Sequence, residues 1–417
     1  MGNRCLGCIQ ATSSAIFDYN TVKLMHIRNQ KIGFVYRLVQ LSIIGYILGY
    51  VIIFKKGYQQ TDSVVSSVTT KMKGTAMTKG PNGTLWDVAD YVVPPEEHNA
   101  VFVTTNAIIT PNQVQSVCHE DPHLAPCVSD DNCTAGEYVK YGHGMQTGLC
   151  DTDAKACLIH SWCPLEIDET PHEPLLGNAT KNFTLLIKNT IQYQKFDFTK
   201  RNLLQRTIEY GNHSYLHTCT YHKDNVNDRY CPIFVLSQIV EYAGADWHDL
   251  AVNGGVLGIF IKWDCDLDQG FTACVPKYSF SRMDKINSSI AKGYNFRYPV
   301  YFKENGDNRM HRQLIKAYGI RFQIIVSGQA GRFSIVPLAL NIGSGIALLA
   351  IATVICDLLV NYVVKKRKYY RENKYQLVED EETLLPVEDD DQHKVPMLRS
   401  ERDSLNRSTE DTKKYTK

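Results

Sequence analysis

Lys71-Met72-Lys73, Asn295-Phe296-Arg297 and Lys316 are the residues whose types and spacing suit the capture of a polyanion. Side chains two apart on a strand share a face, so Lys71 and Lys73 can aim two ammonium groups at one target. Arg297 adds a planar guanidinium and Asn295 an amide, both donors that phosphate oxygens accept from. Isolated surface cations are more often simply solvated, and spacing alone leaves the two readings open. Covalent chemistry is not signalled: no Gly-x-x-x-x-Gly-Lys-Ser/Thr, His-Glu-x-x-His or Gly-x-Ser-x-Gly occurs in the sequence.

Composition bounds the scaffold that must hold these motifs. The 417 residues are 44% hydrophobic and 21% charged, with 45 basic and 44 acidic side chains and a formal net charge of +1. With 27 Gly and 15 Pro, that balance excludes a mainly disordered, collagen-like or coiled-coil chain. Near-neutral charge also argues against a nucleic-acid partner, which calls for a basic surface.

Two stretches are long and apolar enough to cross a membrane. Residues 34–54 carry a single charge, Arg37, and residues 333–356 carry none. Their uncharged parts reach roughly 25 and 36 Å, against about 30 Å of hydrocarbon. Lys365, Lys366, Arg367, Lys368 and Arg371 mark the end of the second stretch as cytoplasmic. Six glycosylation sequons, at Asn82, Asn132, Asn178, Asn182, Asn212 and Asn287, all fall between the spans and put that segment outside. Asn406 fits the same pattern but lies in the tail, where it is expected to stay unmodified. The expected order is a cytoplasmic segment 1–33, a first span 34–54, an ectodomain 55–332, a second span 333–364 and a cytoplasmic tail 365–417. Beyond about residue 379 the tail is acidic and expected to be disordered.

Ten of the thirteen cysteines lie in the ectodomain, an even number in an oxidising compartment, so five disulfides are expected. Zinc would call for close Cys-x-x-Cys pairs, which the ectodomain lacks, and no metal centre is expected. Six of the ten crowd into residues 118–163, a loop-rich stapled lobe. Cys5 and Cys8 form a cytosolic Cys-x-x-Cys that suits lipidation or free thiols. Apolar residues alternate at Leu257, Ile259, Ile261 and Trp263 and at Ile320, Phe322, Ile324 and Val326, which predicts strands; residues 101–110 and 184–193 are further strands by composition. No helix of comparable strength is signalled outside the membrane. The fold class is a two-span membrane protein with transmembrane helices and a large β-rich, disulfide-stapled ectodomain.

On its motifs the sequence resembles the ATP-gated ionotropic purinergic receptors, from about Phe17 to Tyr375. The matching stretches include Lys55-Lys56-Gly57-Tyr58-Gln59, Lys71 to Gly74, Leu85 to Tyr91, Phe183 to Thr190, Trp263 to Asp268, Gly293 to Arg297, Lys316 to Phe322 and Asn341 to Gly345. The resemblance implies a ligand-gated channel of the plasma membrane, with both termini cytoplasmic, opened by extracellular ATP and passing Na+, K+ and Ca2+. It implies a homotrimer, or a mixed trimer with related subunits, embedded in lipid. ATP is then an agonist that is not hydrolysed, with no cofactor and no enzymatic activity. Lys71, Lys73, Asn295, Arg297 and Lys316 of one subunit would hold the triphosphate, Thr190 would read the adenine, and Leu216 of the next subunit would pack on the ribose. Four charge-assisted bonds of about 1.5 to 3 kcal/mol each can reach the ~8 kcal/mol of a micromolar complex. The implied disulfides are Cys118 with Cys163, Cys127 with Cys150, Cys133 with Cys157, Cys219 with Cys231 and Cys265 with Cys274.

Leu340, Ser344 and Ala347 recur at spacings of four and three on one helical face and are the expected gate. The same small-residue band, with Gly343 and Gly345, equally suits close packing of helices. The alternative is a membrane ecto-nucleotidase hydrolysing extracellular ATP, with a span near each end and a glycosylated ectodomain. It would need Asp-x-Gly phosphate turns in two related domains, whereas the one extracellular Asp-x-Gly, Asp268-Gln269-Gly270, lies between Cys265 and Cys274.

Overall fold

The computed structural model describes residues 30–78, 83–169, 172–203, 214–284, 292–304, 306, 308–365, 367–369, 384–386 and 396–398. The chain divides into a unit formed by Met1–Tyr58 with Ile335–Lys417 and a unit formed by Gln59–Ser334.

In the first unit, a helix over Gln30–Gly45 continues as a π-helix over Tyr46–Phe54, and a helix over Ile335–Leu358 continues as a π-helix over Leu359–Val363. These runs of 25 and 29 residues each exceed the hydrocarbon thickness. Gly345, Ala352, Cys356 and Val360 bury one face of the second span. A Cβ on Gly345 would come within 2.9 Å of the Ile47 side chain, so the glycine lets the two spans approach closely. Asn341 Nδ2 fastens the second span to the end of the first by donating to the Gly57 carbonyl at 2.7 Å.

Within the ectodomain unit the strands are β1 (Gln59–Ser63), β2 (Val65–Lys73), β3 (Ala76–Met77), β4 (Leu85–Trp86), β5 (Ala100–His119), β6 (Met145–Asp151), β7 (Ala156–Cys163), β8 (Thr184–Tyr193), β9 (Phe198–Arg201), β10 (Ile233–Val235), β11 (Gly255–Asp266), β12 (Lys277–Arg282), β13 (Asn295–Phe302) and β14 (His311–Phe333). The larger sheet runs β12-β11-β14-β5-β7-β6, with β1 and β13 also paired to β14. A smaller sheet runs β10-β8-β2, with β9 on β8. Leu257, Ile259, Ile261 and Trp263 are wholly buried, as are Ile320 and Phe322, so the alternating stripes form the core where β11 and β14 run parallel. Short helices at Leu236–Tyr242 and Trp247–Asn253 escape sequence periodicity because seven residues make only two turns.

The second span begins as helix at Ile335, two residues beyond the expected start at residue 333. Phe333 ends β14 opposite Gln59, and its amide is held by Asp268 at 2.8 Å, which keeps that backbone extended. Five disulfides join Cys118–Cys163, Cys127–Cys150, Cys133–Cys157, Cys219–Cys231 and Cys265–Cys274. Asn132, Asn178 and Asn182 are exposed; Asn82, Asn212, Asn287, Asn406, Cys5 and Cys8 lie outside the described residues. The tail, expected to lack order beyond about residue 379, contains two paired strands, β15 (Leu384–Pro386) and β16 (Pro396–Leu398). Both are apolar islands on either side of an acidic run, and apolar composition is what sets them apart from the remainder.

Candidate functional site

Lys71 and Lys73 stand on the exposed face of β2, and Met72 between them turns into the core. Antiparallel pairing with β8 sets Leu186 opposite Lys71 and Thr184 opposite Lys73. Directly opposed residues share a face, with Cβ atoms about 4.5–5.5 Å apart. Lys188, opposite Thr69, is exposed on the same face and brings a third ammonium to it. Among the described residues, none of these three lysines pairs with a carboxylate.

Thr190 pairs with Ser67 and with Arg201 of β9, six residues along β2 from Lys73. That separation is roughly 20 Å at the rise of a strand. The hydroxyl beside Lys73 therefore belongs to Thr184, whereas Thr190, expected to read the adenine, stands toward the other end of β2. Thr184 and Thr190 are an even number of residues apart, so they share a face of β8, and only the pairing register separates them.

A second basic set lies on the larger sheet. Asn295 and Arg297 project from β13, and Arg297 is directly opposite Lys316 of β14. Two cations in that position repel unless anions intervene, and the segment after Cys163 supplies two. Arg297 Nε donates to Glu166 Oε2 at 2.6 Å and Nη2 to Asp168 Oδ2 at 3.4 Å, while Lys316 Nζ donates to Asp168 Oδ1. The Lys316 side chain is buried, with its ammonium 5.1 Å from the centre of the Tyr318 ring. Burial works against the charged forms of Lys316 and Arg297, but bonding to Asp168 and Glu166 outweighs it and raises both pKa values. The bond from Lys316, ahead of the attraction of Arg297, holds the Asp168 carboxyl below the usual carboxylate range. Glu166 Oε1 is buried and receives no hydrogen bond from the described residues.

The two sets stand on different sheets of the chain. β2 and β8 belong to the smaller sheet, whereas β13 pairs with β14 in the larger one. The five expected phosphate ligands are thus divided between sheets, Lys71 and Lys73 on the smaller one and Asn295, Arg297 and Lys316 on the larger. Leu216 sits, partly buried, in the short helix Ser214–Thr218 that leads into the Cys219–Cys231 loop. Sequence reasoning missed Glu166, Asp168, Thr184 and Lys188; the alternation of Leu185, Ile187 and Ile191 along β8 was the one available signal, for the last two.

In the second span, Leu340, Ser344 and Ala347 are exposed and lie on the face turned away from buried Gly345, Ala352 and Cys356. The expected gate residues are therefore not the ones that pack against the first span.

The family model described as ATP P2X receptor matches residues 17–377. P2X purinoceptor 4 of Bos taurus is 48% identical over 387 residues, covering 91% of this chain and 98% of its own length. P2X purinoceptor 2 of Rattus norvegicus is 42% identical over 372 residues, covering 88% and 76%. Among solved structures, a P2X receptor from the Gulf Coast tick, in the presence of ATP and Zn2+, superposes with a TM-score of 0.71 at 44% identity, covering 78% of this chain and 99% of that one. The chicken ATP-gated P2X7 receptor channel, with the competitive antagonist TNP-ATP, gives 0.68 at 33% identity, covering 81% and 100%.

Proposed function

This chain belongs to the ATP P2X receptor family, and on that premise we propose that ATP opens it by bridging the two basic half-sites. The protein is a ligand-gated cation channel with ATP as agonist, and it is not an enzyme. The family match gives no support to a nucleotidase. Two spans per chain cannot enclose a water-filled pore, and the trimer that does so follows from the family.

Lys71, Lys73 and Lys188 of one copy and Asn295, Arg297 and Lys316 of a neighbour grip the triphosphate in this reading. Thr184, beside Lys73, takes a hydrogen bond from or gives one to the base, and Leu216 packs on the ribose. The observation that carries it is the division of the cations between sheets: a ligand of about four negative charges is satisfied only where both sets meet. A ligand shifts a conformational equilibrium only through differential affinity, and one that ties neighbouring copies together binds best in whichever arrangement closes the gap.

Arg297 and Lys316 are paired with Glu166 and Asp168. A triphosphate exchanges carboxylate partners for phosphate partners, so part of its electrostatic gain is spent on releasing them. The pore lies along the Leu340, Ser344 and Ala347 face and passes Na+, K+ and Ca2+. The channel sits in the lipid of the plasma membrane with both termini in the cytoplasm, an orientation supported by Lys365 and Arg367 after the second span. It forms homotrimers, and related subunits can replace a copy.

Whole-cell recording from cells expressing this chain alone, with inorganic phosphate assayed in the bath, tests the reading. The expected result is an ATP-evoked cation current without added phosphate release. Phosphate release without current would overturn it.

A further inference from the structure

The loop closed by Cys265–Cys274 bonds to both strand ends from which the chain leads into its membrane spans. Gln59, the first residue of β1, and Phe333, the last of β14, are the terminal pair of the β1–β14 ladder. Asp268 reaches across that pair: Oδ2 accepts from Gln59 Nε2 at 2.6 Å and Oδ1 accepts from the Phe333 amide at 2.8 Å. Gln59 Nε2 also donates to Asp266 Oδ1 at 2.7 Å, so its two hydrogens go to two carboxylates of the one loop. Gly331 makes room for this arrangement, because a Cβ there would stand 2.3 Å from Gln59 Oε1.

The other side of the loop touches the sheet that carries Lys71 and Lys73. Lys200 Nζ of β9 donates to the Phe271 carbonyl at 2.6 Å, and the Phe198 and Phe271 rings stack at 5.1 Å. β9 pairs with β8, and β8 with β2. Buried polar bonds make a second connection: Trp263 Nε1 donates to Asn189 Oδ1 at 2.7 Å, and the Tyr193 hydroxyl donates to the Trp263 carbonyl at 2.8 Å. Trp263 lies on β11, which runs directly into the loop. Satisfied polar networks of this kind fix elements relative to each other. A displacement of the lysine-bearing sheet therefore reaches the loop by two routes.

We propose that the Cys265–Cys274 loop is a clamp that holds the two membrane linkers together in the closed channel, with Asp268 as its positioning residue. The proposal rests on the ATP-gated reading above. ATP acts on the clamp through β2, β8 and β9, and release of Gln59 or Phe333 by the loop frees the end of the β1–β14 ladder to move when the channel opens. Both sites bias one two-state element, which is the physical requirement for coupling between them.

The test is ATP-evoked current, and current in the absence of ATP, from surface-expressed Asp268→Ala channels. Loss of the clamp should lower the half-activating ATP concentration at least threefold and produce openings without ATP. Asp268→Asn keeps an acceptor for Phe333 and should fall between the two. If Asp268→Ala does not reach the surface, Gln59→Ala removes the opposite half of the clamp and should shift activation in the same direction. A wild-type curve, or a shift to higher ATP, in whichever variant is expressed overturns the proposal. Failure of the wild-type chain to respond to ATP would count instead against the functional reading, so the two are separable.

Discussion

Arg297 donates through Nε to Glu166 Oε2 at 2.6 Å, so a guanidinium assigned to a phosphate is shared with a carboxylate. The other oxygen of Glu166, Oε1, is buried and receives no hydrogen bond from the described residues. A triphosphate that engages Arg297 must compete with this carboxylate for the same donors.

Glu166→Gln should therefore make the channel more sensitive to ATP. The Arg297 side chain is 45% exposed, so solvent discounts the pair, and a fall of about threefold or more in half-activating concentration is expected, roughly 0.7 kcal/mol on a scale where about 1.4 is tenfold. Concentration–response curves on surface-matched cells check it. An unchanged or higher value would mean that Glu166 supports the site rather than competing for it.

Register on β8 makes a sharper prediction. Lys73→Ala removes a charge-assisted contact of about 1.5 to 3 kcal/mol and should raise half-activation at least about tenfold. Thr184→Ala, beside Lys73, removes a neutral hydrogen bond and should raise it about three- to tenfold. Thr190→Ala, opposite Ser67, should stay within about twofold. A reversed order of the two threonines would return the adenine contact to Thr190.

The spans and the β-rich ectodomain were legible because each rests on a local signal: long uncharged runs, and strict alternation at Leu257 to Trp263. Cysteine pairing was not local and came only with the family resemblance. Which of Thr184 and Thr190 meets Lys73 was hidden for a geometric reason, since both lie on one face of β8 and the partner strand alone fixes the register. Glu166 and Asp168 were illegible because they meet Arg297 and Lys316 across about 130 to 150 residues of chain, and nothing in their own neighbourhood marks them. Phe333 read as membrane because it is apolar, whereas a backbone bond to Asp268 keeps it in the strand.

Acid should not release Lys316 from Asp168. The Asp168 carboxyl is held below its ordinary range by the bond from Lys316, so the contribution of the pair is present above that range. It is lost only as pH falls through the lowered value, and Lys316, with its pKa raised, remains charged throughout. The ratio of half-activation between wild type and Asp168→Asn should thus be the same at about pH 7.4 and about pH 5.5. A ratio that collapses toward one at the lower pH would show Asp168 protonated in the closed channel.

The exposed face of the second span should line the pore. Cysteine introduced by Leu340→Cys or Ser344→Cys should react with a water-soluble thiol reagent at least about tenfold faster in ATP, with block of current, as the helices separate. The native Cys356 is buried, which keeps the background low. Equal rates with and without ATP, or no block at either position, would assign this face to packing.

Bridging of two half-sites is tested most directly by mixing subunits. One variant carries Lys71→Ala with Lys73→Ala and leaves Asn295, Arg297 and Lys316 intact; the other carries Arg297→Ala with Lys316→Ala and leaves β2 intact. Each expressed alone should give almost no ATP-evoked current. Expressed together, they should recover current at near wild-type ATP concentrations, because a trimer containing both has a junction where intact β2 faces intact β13 and β14. If each site were built within one chain, every site in the mixture would lack one set of cations. No recovery on co-expression, with mixed trimers verified at the surface, would contradict the account.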